Sequence, residues 1–308
     1  MINGELIDLV AGDYEARIAT SGATLVHLRR AGSDLVIPFD AEASLPEGWQ
    51  GKTLVPWPNR IVGARYAYRG QEYPVPCNEP ETGSALHGLV GWADFQVVAT
   101  SAGDDAVGDA PSSVALELTL PGSYAYPWSL QVDVRFALDA RAGLTVAATT
   151  TCLGAGAPAA PDAVGAPESD GLLAPAPYGV SFHPYLTRSV PLDECVLQVP
   201  AARVLDVDER MAPAAERDVA GTDWDWRAGR PVGTISTDNA YTGLPQGPWE
   251  VRLTGGEAGS TVVLSAEAPW VQVYTAEHLG RRGVAVEPMT CPPDAFNSGR
   301  DLVELEVG

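Results

Sequence analysis

The 308-residue sequence predicts an all-β protein built from antiparallel strands. Its dominant pattern is a period-two alternation of apolar and polar residues, as in residues 129–138, which is typical of a strand with one buried face. The 32 glycines and 26 prolines are spread along the whole chain, as expected for many short turns between strands. No convincing amphipathic helix longer than two turns is found. Together these observations predict half-buried strands joined by tight turns.

The candidate strands follow one another along nearly the whole sequence. In residues 129–138, Leu130, Val132 and Phe136 face one way, and the polar residues between them face the other. Glycine, proline, aspartate and asparagine separate this strand from its neighbours. The other candidate strands cover residues 23–28, 65–75, 113–120, 143–150, 195–200, 249–255, 260–267, 270–277 and 302–307.

Charge and cysteine content restrict the partners and the compartment. A net charge of -21 argues against nucleic acid and against anionic membrane surfaces, because both require clustered lysine and arginine. The four cysteines form no C-x-x-C pair and lie beside no histidine at zinc-ligand spacing, which predicts free thiols and no metal site. The sequence has no signal-peptide pattern and no apolar stretch of about 20 residues. We therefore expect a cytoplasmic protein that is a monomer or a weak homodimer.

One long segment departs from the strand pattern. Residues 154–177 are rich in alanine, proline and glycine and lack the apolar periodicity needed to pack. Strand-rich sequence of the same character flanks this segment on both sides. We therefore predict one domain over residues 1–308, with a flexible insertion at about 154–177.

Five short motifs place polar residues in otherwise apolar, turn-like surroundings. Taken singly, most of these residues fit an ordinary loop, turn or structural role. His183 precedes a proline, which disfavours a helix and predicts a junction between a strand and a loop. Glu287 differs, because it is the single charge in a short apolar strand that stops at Pro288, and a buried carboxylate needs a partner or a task. The motifs are PNRI at 58–61, LHG at 86–88, SFHPYL at 181–186, DNAYTGL at 238–244 and EPMTCPPDAFNSG at 287–299.

Together and in this order, the five motifs resemble those of the aldose 1-epimerase (galactose mutarotase) family. The resemblance implies a large antiparallel β-sandwich and interconversion of the α and β anomers of a free aldose. It implies that Glu287 is the base that deprotonates O1 and that His183 is the acid that protonates the ring oxygen. It also implies no metal and no other cofactor, since acid–base chemistry suffices. The residues expected to bind the sugar are Asn59, Arg60, His87, Tyr185 and Asp238.

Two alternatives to this function stay open. A hexose-6-phosphate 1-epimerase would share the fold, but it would need further cationic groups for the phosphate, and the matched motifs contain no second arginine. A non-catalytic carbohydrate-binding protein could use the same scaffold. Binding alone does not require both His183 and Glu287, so their joint presence favours an enzyme.

Overall fold

The computed structural model describes residues 2–102, 111–155, 175–256 and 259–308, and nearly all regular structure in them is antiparallel β-strand, which confirms the predicted class. The helical segments that lie wholly within these ranges are short: 3-10 turns at Val62–Ala64, Leu192–Glu194 and Glu277–Leu279, and α1 at Ala295–Ser298. In this part of the chain no helix is long and apolar enough to cross a bilayer.

The N-terminal half of the chain forms two four-stranded sheets that pack against each other. The first contains β1 (Leu6–Ala11), β2 (Tyr14–Ala19), β3 (Thr24–Arg30) and β4 (Ser33–Asp34) in that order. The second contains β10 (Gln96–Ser101), β11 (Ser113–Leu120), β12 (Trp128–Asp139) and β13 (Gly143–Ala155) in that order. Strands β1 and β2 contact β12, whose alternate residues are buried as the sequence predicts.

The largest sheet in the described residues has eight strands, and we call it the central sheet. Its order is β19 (Pro213–Asp218), β18 (Arg203–Val207), β21 (Asp238–Thr242), β24 (Trp270–Tyr274), β25 (Gly283–Met289), β15 (Ser181–Phe182) and β5 (Thr53–Leu54). Strand β16 (Tyr185–Thr187) also pairs with β25. One edge of β25 therefore pairs with two short strands that are separated by His183 and Pro184.

The described residues also form four smaller sheets and ribbons. Two of the ribbons, β6 with β9 and β7 with β8, lie in the stretch that carries Arg60 and His87. A third four-stranded sheet has the order β20, β17, β22, β23. The remaining ribbon pairs β14 with β26. The bounds are β6 Arg60–Ile61, β7 Arg65–Tyr68, β8 Gln71–Pro74, β9 Ala85–Leu86, β14 Ala176–Tyr178, β17 Val196–Gln198, β20 Arg230–Pro231, β22 Trp249–Thr254, β23 Thr261–Ala266 and β26 Val303–Leu305.

The predicted insertion at 154–177 lies mostly outside the described residues, which omit 156–174. The described ends of that segment lie in strands: β13 runs to Ala155, and β14 begins at Ala176. Strand β14 pairs with the C-terminal strand β26. The boundaries of any insertion therefore lie inside 154–177.

The backbone of His183 is held by a segment on the far side from β25. Its N–H donates to the carbonyl of Lys52 at 3.0 Å, and its carbonyl accepts from the N–H of Gly51 at 2.9 Å. Gly51 has a φ of 69°, and a Cβ there would lie 2.0 Å from the carbonyl oxygen of Leu25. Only glycine therefore fits at this contact without moving the backbone that holds His183.

We expect Gly51→Ala to lower the free energy of unfolding by about 3 kcal/mol, because it combines left-handed backbone strain with a clash against backbone. Gly70→Ala is the matched control: its φ is 82°, but no atom lies within 4 Å of the added Cβ, so about 1 kcal/mol is expected. Urea denaturation of both variants measures the difference. Equal losses would show that the close approach to Leu25 does not constrain this position.

Candidate active site

The centre of the site is a contact between an imidazole and a carboxylate. His183 Nε2 lies 3.2 Å from Glu287 Oε1, and the two side chains are 5% and 2% exposed. The other polar atoms of the pair, His183 Nδ1 and Glu287 Oε2, are buried and have no hydrogen-bond partner among the described residues. Each group thus keeps one polar atom without a protein partner in this part of the chain, so a bound molecule would find a titratable imidazole and a titratable carboxyl side by side.

Strand pairing in the central sheet brings Glu287 together with polar residues of β24 and β21. Gln272 lies directly opposite Glu287, and Asp238 lies directly opposite Tyr274. Directly opposed side chains share one face of a sheet, and so do residues two apart on one strand, such as Gln272 and Tyr274. Asp238, Gln272 and Glu287 therefore project from the same face. Neighbouring strands carry them, although the three residues are far apart in the sequence.

The break between β15 and β16 places His183 on this face. Pro184 cannot donate a backbone hydrogen bond, although its carbonyl still accepts from Val286 N–H at 3.1 Å. The backbone of His183 pairs with Gly51 and Lys52 instead of β25. The prediction that His183 occupies a junction between a strand and a loop is confirmed.

His87 completes the cluster and has a defined tautomer. Its Nδ1 accepts a hydrogen bond from the backbone N–H of Asn59 at 3.1 Å, so a neutral His87 carries its proton on Nε2. The backbone N–H of His87 in turn donates to the carbonyl of Asn59 at 2.8 Å. The rings of His87 and His183 meet edge to face with centroids 5.1 Å apart. His87 therefore offers a hydrogen-bond donor beside the His183–Glu287 pair.

Burial shifts all three titrating groups toward their neutral forms. It raises the pKa of Glu287 well above the usual carboxyl value, an effect that the nearby charge of Asp238 reinforces and Arg60 opposes. It lowers the pKa of His183 to about 3. Burial also lowers the pKa of His87, with smaller contributions from His183 and Arg60. Opposite shifts in two groups that touch are typical of an acid–base pair.

Arg60 is held in place by a carboxylate that the sequence analysis does not identify. Its Nε and one Nη donate to the two oxygens of Glu79 at 2.7 and 2.8 Å. The hydroxyl of Thr82 also donates to Glu79. The side-chain oxygen of Asn59 accepts from the backbone N–H of Arg60 at 3.0 Å, so Asn59, which was expected to bind the sugar, supports this loop. Among the described residues, the other Nη of Arg60 donates only to that same oxygen, in a long contact of 3.4 Å, so this nitrogen has donor capacity to spare.

Asp238 lies beside a second residue that the sequence analysis misses. Gln272 Nε2 donates to Asp238 Oδ1 at 2.7 Å. The Oε1 of Gln272 is buried without a hydrogen-bond partner in the described part of the chain. Burial raises the pKa of Asp238, while Arg60 and the Gln272 hydrogen bond oppose the shift. The unmatched oxygen marks Gln272 as a further candidate for binding a ligand hydroxyl.

Tyr185 packs against the ring of His183. The two rings stack with centroids 5.0 Å apart, and the Tyr185 hydroxyl donates to the carbonyl of Gly48 at 2.7 Å. These contacts orient the imidazole, because they fix the ring against which it lies. Direct contact between Tyr185 and a substrate stays a prediction.

A loop that no motif identifies contacts the cluster from the other side. Trp49 lies edge-on to His87 with ring centroids 5.1 Å apart, and Gly48, Gly51 and Lys52 supply the backbone contacts to Tyr185 and His183. Lys52, the single lysine of the chain, is fully buried, and burial lowers its pKa to about 8. The sequence contains a usable signal for this residue: the single lysine of the chain stands directly before the apolar run TLVPWP, and lysine is rarely placed in such surroundings.

Three groups at this centre also have the spacing of metal ligands. One donor atom each from His87, His183 and Glu287 lies within 4.8 Å of the others. Two imidazoles and a carboxylate form a set that divalent transition metals accept. The same three groups can serve acid–base chemistry without an ion, so the geometry is compatible with both uses.

Comparison with known proteins decides the family. The family model described as aldose 1-epimerase matches residues 5–159 and 167–308. The chain belongs to the aldose 1-epimerase family. It is 39% identical over 307 residues to the Escherichia coli K12 protein YihR, described as uncharacterized, and the match covers 99% of this chain and 90% of YihR.

Solved structures of aldose epimerase homologues share the fold. A GalM/aldose epimerase homologue from C. elegans matches with a TM-score of 0.78 and 21% identity, over 99% of this chain and 95% of that one. A putative aldose 1-epimerase from Escherichia coli K12 matches with a TM-score of 0.77 and 20% identity, over 99% and 94%. The large antiparallel β-sandwich that the sequence motifs imply is confirmed.

At pH 7 we expect the free energy of unfolding of Glu287→Gln to exceed that of the wild type. This difference between the two proteins should shrink toward zero as the pH is lowered to about 4. Below about pH 4.5 the carboxyl is protonated in both the folded and the unfolded chain. Above that pH the unfolded chain gains the free energy of ionisation, while burial holds the folded carboxyl neutral, so wild-type stability falls as pH rises. Denaturant titrations at several pH values measure the gap. A gap independent of pH would show that Glu287 titrates normally in the folded protein.

Proposed function

We propose that this protein is an aldose 1-epimerase that interconverts the α and β anomers of a free aldose by opening and closing the sugar ring. One observation carries the proposal: a buried imidazole and a buried carboxylate lie 3.2 Å apart, and each has a polar atom without a partner in the described chain. Ring opening moves two protons at adjacent positions of the sugar, one from O1 and one to the ring oxygen. Two neighbouring titratable groups match that requirement.

In the proposed mechanism Glu287 removes the proton from O1 while His183 delivers a proton to the ring oxygen. The bond between C1 and the ring oxygen breaks, and an open-chain aldehyde forms. After rotation about the bond to C1, the two residues exchange roles: His183 takes the proton back and Glu287 returns one to the carbonyl oxygen. The ring then closes on the other face of the aldehyde, and both residues regain their starting protonation.

The reaction requires that His183 and Glu287 together carry one titratable proton. With that proton on Glu287 both groups are neutral, and with it on His183 they form an ion pair; the two forms differ only in where the proton sits. Burial favours the neutral form in the free site. Binding a sugar that donates from O1 and accepts at the ring oxygen favours the ion pair, which is the reactive form.

Polar groups around the pair would bind the sugar hydroxyls. Arg60 would donate through its remaining Nη, and Asp238 and Gln272 would accept through their free oxygens. His87 would donate from Nε2, since its Nδ1 already accepts from Asn59. A neutral, hydroxyl-rich ligand fits these donors and acceptors, because Glu79 already balances the charge of Arg60.

Unpaired thiols support the expectation of a cytoplasmic enzyme. All four cysteines are free, and Cys152, Cys195 and Cys291 are buried. Reducing compartments keep such thiols intact.

We expect Glu287→Gln to retain sugar binding and to lose at least about 10² in the rate of mutarotation, because the amide keeps the shape of the carboxyl and lacks a basic oxygen. Polarimetry of freshly dissolved α-glucose and α-galactose, with NMR anomer exchange for other aldoses, measures the rate above the spontaneous one. Glu267→Gln, an exposed carboxylate, is the matched control and should keep full activity. More than about half of the wild-type rate in Glu287→Gln would remove Glu287 from the role of base.

The profile of kcat/KM against pH should be bell-shaped. Adding a second proton to the pair gives the acid limb, and removing its one proton gives the alkaline limb. In His183→Asn most of the rate should be lost, and the remaining activity should rise with pH to a plateau, since it needs only the ionised carboxylate. His27→Asn, on β3 in another sheet, should keep both limbs.

The two histidines of the cluster can be separated by comparing their variants. His87→Asn should lower activity less than His183→Asn. If His183→Asn keeps a near-normal rate and its alkaline limb while His87→Asn is inactive, the proton donor is His87.

A further inference from the structure

Aromatic rings lead from the catalytic cluster to the protein surface. The Trp49 ring lies 5.1 Å from that of His87, and the Trp92 ring lies 5.6 Å from that of Trp49. Trp49 is partly exposed and Trp92 is 49% exposed. We call these two indoles the tryptophan platform. It continues from the polar cluster at which the reducing end of a sugar would react.

The inner residue of the platform is held in an unfavourable backbone conformation. Trp49 has a φ of 62°, in the left-handed region that bulky residues avoid. Its carbonyl accepts from Lys52 N–H at 3.1 Å, which fixes the turn. A Cβ on Gly91 would lie 2.5 Å from Trp49 Cζ3, so the absence of a side chain at 91 makes room for the indole. Strain of this kind persists where the surrounding structure enforces it, and it is common at functional sites.

The outer residue of the platform is fixed from one side by a buried charge. Lys52 Nζ lies 4.2 Å from the centre of the Trp92 ring and donates to the carbonyl of Ser21 at 3.0 Å. Lys52 itself is fully buried, so its ammonium covers part of Trp92 from the protein side. An exposed indole that is oriented in this way presents a defined apolar surface to solvent beside a polar site.

We infer that the tryptophan platform is a second sugar-binding subsite, which accepts a further ring linked to the reducing aldose. A pyranose ring has an apolar C–H face and polar edges, and it stacks on an indole while its hydroxyls stay in water. The polar cluster would hold the reducing unit, and the platform would hold the next unit. This inference rests on the proposed function of the cluster, and its content is the assignment of Trp49 and Trp92 to the second ring of such a substrate.

The direct experiment compares disaccharides with their reducing monosaccharides. Mutarotation of lactose, maltose, cellobiose and melibiose is measured beside that of glucose, for the wild type and for Trp92→Ala. We expect Trp92→Ala to lower kcat/KM for at least one disaccharide by about tenfold and to leave glucose within about twofold. Tyr124→Ala, which removes an aromatic ring that is 69% exposed, is the matched control and should change neither.

A binding measurement separates this inference from the proposed reaction. Calorimetric titration of Glu287→Gln with the same disaccharides, with and without Trp92→Ala, tests the platform without turnover. A loss of about tenfold in affinity through Trp92 would support the subsite even if no sugar were mutarotated. Equal effects of Trp92→Ala on disaccharides and glucose, or no effect on either, in both measurements would overturn it.

Discussion

The structure depends on holding an imidazole and a carboxylate in contact where water has little access. His183 and Glu287 are almost fully buried, and burial moves their pKa values in opposite directions. Such a contact costs stability, because the folded chain must keep both groups neutral or paired. It lasts because other contacts fix both partners: Tyr185 stacks on one side of His183, and β25 pairs on both edges around Glu287. Much of the surrounding architecture thus supplies rigidity that the pair lacks on its own.

The polar residues near the pair form two hydrogen-bonded groups. Glu79 and Thr82 hold Arg60, and Gln272 holds Asp238. Each group satisfies most of its own donors and acceptors and leaves one or two atoms free. Preorganisation of this kind lowers the entropy that a ligand must lose on binding, because the side chains are already ordered.

Sequence reasoning located the residues whose chemistry is unusual for their surroundings. Glu287 stands alone in an apolar strand, and the proline after His183 marks the strand break. Gln272 was not found, since a polar residue in an alternating strand normally faces solvent, and only its pairing with Glu287 shows otherwise. Glu79 and Trp49 were missed for a related reason: loop contacts between distant segments leave no local pattern. The long strand β12 was predicted well, whereas the two-residue strands β5 and β15 are too short to show periodicity.

The strand order of the central sheet has a consequence for how the candidate site is assembled. Backbone from Gly51 and Lys52 holds His183, and β25 near the C-terminus supplies Glu287 and pairs on both sides of the break at His183. Contacts between such distant segments form late, because a long stretch of chain must first be closed into a loop. A growing chain therefore has no assembled site until β25 has emerged from the ribosome. During refolding in vitro, the return of the proposed activity would report the final long-range pairing rather than the early formation of local hairpins.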